Sequence, residues 1–144
     1  MITIYEDTID TVTLSEIVKF AADCGIDEDF DTGCDLIYVW REMNVIVACL
    51  AFKKTEFGEG RIVPRWEHII FDRFHTSHRK AHSSYRFLLQ VLNDIRRRGY
   101  AQLWCYILPS KERMKNLALK LGFQKYAEDA EGDFLALQLI TKGA

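Results

Sequence analysis

Apolar positions along the first part of the chain change from an alternating to a helical spacing. The alternating apolar residues within positions 2–5 predict a short first strand. Apolar residues at helical spacing follow between Ile9 and Cys24 and predict a helix that stops at Gly25. Thr13 is the predicted N-cap of this helix, and Glu16, three residues later, is its predicted capping-box partner.

Three runs of β-branched and aromatic residues come next. They span Leu36 to Met43, Val45 to Phe52 and Ile62 to Phe74. The first two runs are joined at Asn44, and the glycine-containing turn at residues 57–60 precedes the third. Short turns between consecutive strands are typical of antiparallel pairing. The pattern therefore predicts an antiparallel meander.

The spacing becomes helical again in the second half of the chain. A helix is predicted from Ser84 to Gly99, then a strand from Ala101 to Leu108, and a second helix opened by Pro109 and Ser110 and closed by Gly122. Two final strands are predicted at Phe123 to Glu128 and Phe134 to Ile140. Because a helix joins the last meander strand to the strand at Ala101, these two strands should be parallel.

Composition restricts the class of protein. The 144 residues are 49% hydrophobic and 28% charged, which fits a single domain over 1–144 with its own core. A net charge of −2 gives no general attraction to nucleic acid or to anionic membranes, so neither is an expected partner. No apolar run is long enough for a membrane span and no signal sequence is visible, so a cytoplasmic location is expected. The four cysteines form no C-x-x-C pair, which favours reduced thiols.

A basic turn lies between the third meander strand and the helix that follows it. Arg79 and Lys80 supply its charge, and the backbone N–H groups of Ser83, Ser84 and Tyr85 open the helix. The N-terminus of a helix presents unpaired N–H groups and a favourable dipole to a phosphate. The turn therefore favours a phosphate-bearing cofactor, while a solvated turn with no ligand is the alternative interpretation.

These segments resemble the GNAT superfamily of acyl-CoA-dependent N-acyltransferases. The element order resembles that family over nearly the whole chain, and the sequence resembles it from Phe71 to Tyr126, which contains the helix ends RRRG and KLGF and the strand QLWCYIL. The resemblance implies an α/β (α+β) fold with a mixed, mostly antiparallel sheet of about seven strands and about three helices. It also implies acetyl-CoA as cosubstrate.

The resemblance implies which residues bind the cofactor. The family's pyrophosphate segment V-x-P-E-x-R-x-x-G-x-G/A aligns with residues 74–84, so Arg79 takes the basic position while His82 and Ser84 replace the two glycines. A side chain at position 82 obstructs or tilts the approach of the loop to phosphate. The backbone N–H of Phe74 or its neighbour is implied to stabilise the thioester oxygen. The implied cofactor-binding residues are Phe74, Arg79, Lys80, His82, Ser83, Ser84 and Tyr85.

The general acid of the family is missing at its usual place. Many GNAT proteins carry a tyrosine on the later helix that protonates the leaving thiolate, and Ala118 stands at that position here. Lys111 stands where an asparagine is common. Tyr106 and Tyr126 are nearby in the sequence but match no motif.

Three residues of the central strand are candidates for the general base. Glu67, His68 and Asp72 each carry a group that can accept a proton from an ammonium within hydrogen-bond reach. Each is also compatible with a polar strand residue that faces solvent.

No metal site is expected from the spacing of candidate ligands. His75, His78 and His82 have no carboxylate or thiol partner at a set spacing. Residues 27–33 begin like a calcium loop, but the glycine is one place late and Tyr38 occupies the twelfth position. This acidic segment either attracts a basic substrate or partner or is a solvated loop.

Two functions follow from the sequence. The first is an acetyltransferase that passes an acetyl group from acetyl-CoA directly to an unknown amine. The second is a catalytically eroded protein-binding module, because the chain also resembles small GNAT-like proteins of tailed phages, where a host-directed or virion role would fit. The missing glycines and tyrosine favour the second function. The retained Arg79 and helix-end motifs favour the first, which is the preferred interpretation.

Overall fold

The computed structural model describes residues 2–26, 29–57, 60–72 and 81–139. Their helices and strands follow the predicted order of one strand, one helix, three strands, one helix, one strand, one helix and two strands. The elements are β1 (Ile2–Glu6), α1 (Thr11–Asp23), β2 (Leu36–Glu42), β3 (Val45–Phe57), β4 (Arg61–Phe71), α2 (Ala81–Arg97), β5 (Gln102–Ile107), α3 (Glu112–Leu121), β6 (Gln124–Glu128) and β7 (Asp133–Gln138).

The strands form one sheet of seven in the order β1-β2-β3-β4-β5-β7-β6. The pairs β2·β3 and β3·β4 are antiparallel, so the predicted meander is confirmed. β4 and β5 are parallel across the connection that contains α2, which confirms the second topological prediction. The expected class, a mixed and mostly antiparallel sheet of seven strands with three described helices, is therefore correct.

The hairpin between β2 and β3 is tighter, and β3 longer, than the pattern suggests. Met43 and Asn44 form the turn with φ of 51° and 66°, the left-handed conformations that suit a two-residue hairpin. β3 continues beyond Phe52, and its extension to Phe57 pairs with the start of β4. The sequence prediction ended at Phe52 because the continuous apolar run ends there.

The predicted N-cap of α1 is wrong. Asp10 is the N-cap, and its Oδ2 accepts hydrogen bonds from the backbone N–H of Thr13 at 2.9 Å and from its Oγ1 at 2.8 Å. Glu16 takes no part in a capping box and instead pairs with Arg41 of β2 at 2.6 Å. Asp10 lies one place before the helix, where its carboxylate can reach the third N–H, so it serves as the cap.

The predicted glycine stops at Gly25 and Gly122 are correct, whereas α3 starts later than expected. Gly25 and Gly122 follow the ends of α1 and α3 with φ of 71° and 104°. Pro109 and Ser110 form a turn closed by the Lys111 N–H, which donates to the carbonyl of residue 108 at 2.9 Å. The helix therefore begins at Glu112 rather than at the proline.

Each face of the sheet has its own core. On one face, α2 and α3 pack against the strands, and we call it the α2/α3 face; it includes Tyr38, Leu50, Phe52, Trp66, Leu88, Ile95, Leu103, Ala118 and Leu135. On the other, the α1 face, α1 and the loop at Phe30 pack against β2, β3 and β4; its core includes Ile17, Ala21, Phe30, Ile37, Val39, Cys49 and Ile70. Among the described residues, β5, β6 and β7 contribute nothing to this second core.

Candidate functional site

The two parallel strands at the centre of the sheet separate after a short contact. β4 and β5 pair at Arg65↔Trp104 and Trp66↔Cys105 and at no other described position. β4 nevertheless continues as a strand to Phe71. The edge of β4 beyond Trp66 therefore faces a gap, and it presents backbone N–H and C=O groups there without a strand partner.

A β-bulge marks the point of separation. Trp66 is opposite Phe52 and His68 is opposite Ala51, so Glu67 has no opposite residue on β3. An extra residue in one strand bends that strand and increases its local twist. The bulge therefore coincides with the end of β4·β5 pairing.

A cavity of about 1090 Å³ opens between the separated strands. Its walls are β4 residues 65–71, residues 105–108 of and just after β5, residues 110–111 and the helix α3, residues 24–26 just after α1, and Phe134 of β7. Elements from both faces thus border one cavity. This volume is at the upper end of that of sites for small molecules and cofactors.

Glu67 lines the cavity with one carboxylate oxygen engaged and one available. Oε1 accepts from Nε of Arg65 at 2.8 Å and lies 2.6 Å from its Nη2. Oε2 has no hydrogen-bond partner among the described residues, and the side chain is 22% exposed. The arginine holds the carboxylate in place while the second oxygen can accept a proton from a ligand.

His68 also lines the cavity, but its imidazole already has a partner. Nε2 accepts from the backbone N–H of Asp31 at 2.9 Å, and the ring stacks on Phe30 with centroids 4.7 Å apart. His68 therefore anchors the loop at Phe30 to β4.

The other predicted site residues lie away from the cavity or outside the described residues. Asp72 follows β4, donates its N–H to the carbonyl of Val47 at 2.9 Å and does not line the cavity. Tyr85 of α2 lies beneath Lys120, whose Nζ is 5.2 Å from the ring centroid. Phe74, Arg79 and Lys80 fall outside the described residues, as do His75 and His78, and the side chains of His82, Ser83 and Ser84 are not described.

Tyr106 and its neighbours form the β5 wall of the cavity on the α1 face. Tyr106 alternates with the buried Cys105 and Ile107, so it points away from α2 and α3. Its hydroxyl donates to Oδ1 of Asp129 at 2.8 Å. Burial and this hydrogen bond raise the pKa of Tyr106 to about 12, so the hydroxyl is protonated at neutral pH. The Phe134 ring packs beside it, tilted by 48° with centroids 4.5 Å apart.

The turn between β6 and β7 is held against this wall. A Cβ at Gly132 would lie 2.6 Å from the carbonyl oxygen of Ile107 and 2.9 Å from Cζ of Tyr106. Oδ1 of Asp129 also accepts from the N–H groups of Glu131 at 2.8 Å and Gly132 at 2.9 Å. Sequence reasoning did not identify Asp129 or Phe134, because only the pairing of β7 with β5 brings them to Tyr106.

Comparison with solved structures identifies the fold. An N-acetyltransferase from Staphylococcus aureus superposes with a TM-score of 0.74 at 13% identity, over 98% of this chain and 99% of that chain. A GNAT-family protein from Desulfovibrio desulfuricans also gives 0.74, at 10% identity over 97% and 100% of the two chains. The chain has the GNAT acetyltransferase fold.

A third GNAT-fold structure contains a ligand. The protein yncA from Salmonella typhimurium, solved with its cofactor acetyl-CoA, gives a TM-score of 0.67 at 18% identity over 99% and 96% of the chains. No protein-family model matches the sequence, and no curated protein matches it. The similarity therefore lies in the fold, and the chemistry must be argued from the residues of this chain.

The α3 wall of this GNAT fold lacks the hydroxyl that the resemblance would supply. Ala118 is 3% exposed and lines the cavity with Met114 and Leu117. Lys111 borders the cavity just before α3. Cys105 also borders it, and burial raises the pKa of that thiol to about 12. The α3 side is therefore apolar along the helix, while Ser110 and Lys111 just before the helix supply a hydroxyl and a cation.

Two further observations concern the cysteines and the helices of the described residues. All four cysteines are free thiols, as expected from their spacing. Among the described helices, none combines the length and the apolar character that a membrane span requires.

Proposed function

We propose that the protein is an acyl-CoA-dependent N-acetyltransferase, with a single domain over 1–144, that transfers an acetyl group from acetyl-CoA to an amine. The cavity between β4 and β5 is the observation that carries this proposal. The unpaired edge of β4 beyond Trp66 suits the extended, amide-containing arm of an acyl-CoA, which can add to the strand by backbone hydrogen bonds. A neighbour of the same fold holds acetyl-CoA, which supports this choice of cosubstrate.

The pyrophosphate end is proposed to lie at the start of α2. This helix has 17 residues and no acidic residue in its first turn, so its dipole favours an anion there. Arg79 and Lys80 are proposed to add charge-assisted contacts. Because α2 begins at Ala81 and not at Ser84 as the sequence predicted, the N–H groups of residues 81–83 complete the proposed cradle, and those of Ser84 and Tyr85 lie inside the helix. The N–H of Phe74 or its neighbour is proposed to stabilise the thioester oxygen as negative charge develops on it.

Glu67 is the proposed general base. Its Oε2 takes a proton from the acceptor ammonium, and the neutral nitrogen then attacks the thioester carbon. The C–N bond forms, the C–S bond breaks, and a second proton leaves the nitrogen for the thiolate sulfur, directly or through water. Because Ala118 offers no proton, the acceptor itself is the proton source in this scheme. Asp72 and His68 are proposed to support the strand and the loop at Phe30.

Isothermal titration with acetyl-CoA tests the proposal without knowledge of the acceptor. We expect measurable binding by the wild type. Arg79→Ala should weaken that binding by about 1.5–3 kcal/mol, since it removes a charge-assisted contact to phosphate. Lys80→Ala, the adjacent cation, is the matched control and should have a smaller effect. Binding that is unchanged in Arg79→Ala would exclude the proposed phosphate contact.

Catalysis is tested by thiol release from acetyl-CoA in the presence of a panel of amines. Glu67→Gln should lower kcat about 10²–10⁴-fold, the usual contribution of a general base, while acetyl-CoA affinity stays unchanged. Glu56→Gln, an exposed glutamate of β3, is the matched control. Full activity in Glu67→Gln would remove this residue from the mechanism.

The same titration decides between the enzyme and the protein-binding module. If the cofactor loop works but is constricted, His82→Gly should bind acetyl-CoA as tightly as the wild type or more tightly. If neither protein binds acetyl-CoA, the enzyme proposal fails and the module is favoured.

A further inference from the structure

A strip of four aromatic rings leads from the cavity across the α1 face of β5, β6 and β7. We call Tyr106, Phe134, Tyr126 and Trp104 the aromatic strip. Tyr106 and Phe134 border the cavity. The ring centroids of Phe134 and Tyr126 are 6.1 Å apart, and those of Tyr126 and Trp104 are 5.7 Å apart. The strip is therefore a continuous surface that starts at the proposed reaction site.

No described helix packs on this strip. The core of the α1 face contains residues of β2, β3 and β4 but none of the four rings. Tyr126 is 52% exposed, and a second cavity of about 400 Å³ lies against Trp104 and Tyr126. Exposed aromatic rings that continue from a cavity are typical of a surface that binds a ligand longer than the cavity.

The charge beside the strip is negative. Asp129 Oδ1 accepts three hydrogen bonds, while Oδ2 has no partner among the described residues. Glu131 has no cationic partner among them either. The neighbouring cation Lys125 is already paired with Glu128 at 2.6 Å and with Asp133 at 3.4 Å.

The two sides of the cavity thus differ in charge. Lys111 borders the cavity next to α3. Glu67, Asp129 and Glu131 supply carboxylates toward the α1 face, and Arg65 is already engaged with Glu67. A cationic acceptor is complementary to this second side.

We propose that the acceptor is a basic peptide whose reacting amine enters the cavity at Glu67 and whose neighbouring residues lie along the aromatic strip. This inference rests on the proposed function and names its substrate class. Lysine and arginine side chains lay their aliphatic stems on aromatic rings and are attracted to the ring faces. Their charges then meet Asp129 and Glu131. A small amine would occupy the cavity and leave the strip unused.

Fluorescence anisotropy with two labelled peptides of equal length tests this inference. One peptide carries lysine and arginine, the other aspartate and glutamate at the same positions, and both have a free N-terminal amine. The full chain is used, alone and with CoA, so that no acetyl group is transferred. The basic peptide should bind about tenfold or more tightly than the acidic one, and its affinity should fall as salt is added.

Two exposed variants locate the binding surface. Tyr126→Ala and Glu131→Gln should each raise the Kd of the basic peptide about three- to tenfold. Ile62→Ala and Glu56→Gln are the matched controls, because Ile62 is 54% exposed on β4 and Glu56 is an exposed acid of β3. The controls should leave the Kd unchanged, and thermal unfolding should confirm that all four variants are folded.

Equal affinity of the protein for the two peptides would overturn the inference. So would Kd values for Tyr126→Ala and Glu131→Gln that match those of the control variants. Acetyl-CoA binding, measured separately, distinguishes a failure of this inference from a failure of the proposed function. If acetyl-CoA binds but peptide charge has no effect, only the inference fails; if acetyl-CoA does not bind, the proposed function fails.

Discussion

The sheet has two halves, one formed by β1 to β4 and the other by β5, β7 and β6. Their strands are similar, but the helices and loops that pack on them differ. In β3 every residue from Ile46 to Phe52 is buried, since helices or loops pack on both faces of this half. In β6 every residue is exposed, and β7 has a single buried residue, Leu135. The comparison teaches that the first half stabilises the fold while the second presents a surface.

The candidate site lies where these halves meet. The bulge at Glu67 and the early end of β4·β5 pairing separate them. One wall of the cavity is therefore a buried strand held by the core, and the other is an aromatic wall open to solvent. A buried wall can orient a catalytic group accurately, and an open wall can accept substrates of varied length.

The largest difference between the halves should appear in core truncation. Phe52→Ala should lower the free energy of unfolding by about 3–5 kcal/mol, because the side chain is fully buried and leaves a cavity. Tyr126→Ala should change it by less than about 1 kcal/mol, because its ring is half exposed. Urea denaturation measures both. Equal losses in the two variants would contradict the division into a stabilising and a presenting half.

The turn of the second half should be sensitive to substitution at Gly132. Gly132→Ala should lower the free energy of unfolding by about 1–3 kcal/mol, because the new Cβ meets the backbone oxygen of Ile107 at 2.6 Å. Gly33→Ala is the control, since its Cβ would first meet the movable Asp31 side chain at 3.2 Å. Thermal unfolding compares them. A Gly132→Ala protein as stable as Gly33→Ala would show that the turn is not held against β5.

Removal of a tyrosine hydroxyl should also change the free energy of unfolding by different amounts in the two halves. Tyr38 is fully buried and its hydroxyl donates to Asp94 Oδ2 at 2.5 Å. Tyr38→Phe should therefore lower the free energy of unfolding by about 1–2 kcal/mol. Tyr126→Phe, whose hydroxyl has no partner among the described residues, should be close to neutral. A neutral Tyr38→Phe variant in urea denaturation would refute the stabilising role of this bond.

The smallest expected effect is the acid sensitivity of the ion pairs in the first half. The hydrogen bond from Lys54 lowers the pKa of Glu6, and the hydrogen bond from Arg41 lowers the pKa of Glu16. Because these pKa values are depressed in the folded state, the stabilisation is present above the unfolded pKa of about 4.3 and is lost as pH falls through the folded pKa. Each partly exposed pair should contribute only about 0.2–1 kcal/mol.

Urea denaturation at neutral and acidic pH measures this effect. Glu6→Gln should reduce the loss of stability on acidification relative to the wild type. Asp29→Asn, at an exposed aspartate, is the control and should retain the wild-type loss. If Glu6→Gln and the wild type lose the same free energy on acidification, the pairing of Glu6 with Lys54 does not stabilise the fold.

Local pattern was sufficient for most elements and for the topology. Apolar spacing located the start of β2 at Leu36 and its end to within one residue, and the helical connection between β4 and β5 led to the parallel pair. The predicted ends of elements were wrong where polar residues determine the local structure. β3 extends past Phe52 through pairing with β4, and Asp10 rather than Thr13 caps α1 because its carboxylate reaches the N–H.

The sequence by itself determined the order of the elements and the mixed sheet, because these depend on neighbours along the chain, and it left Glu67 as one of three candidate general bases. Only the tertiary structure decided that Glu67 lies at a bulge, that His68 binds the Asp31 N–H, and that Asp129 meets Tyr106. The last two contacts join residues 37 and 23 positions apart. Strand register and loop packing set such contacts, and neither is encoded by local periodicity.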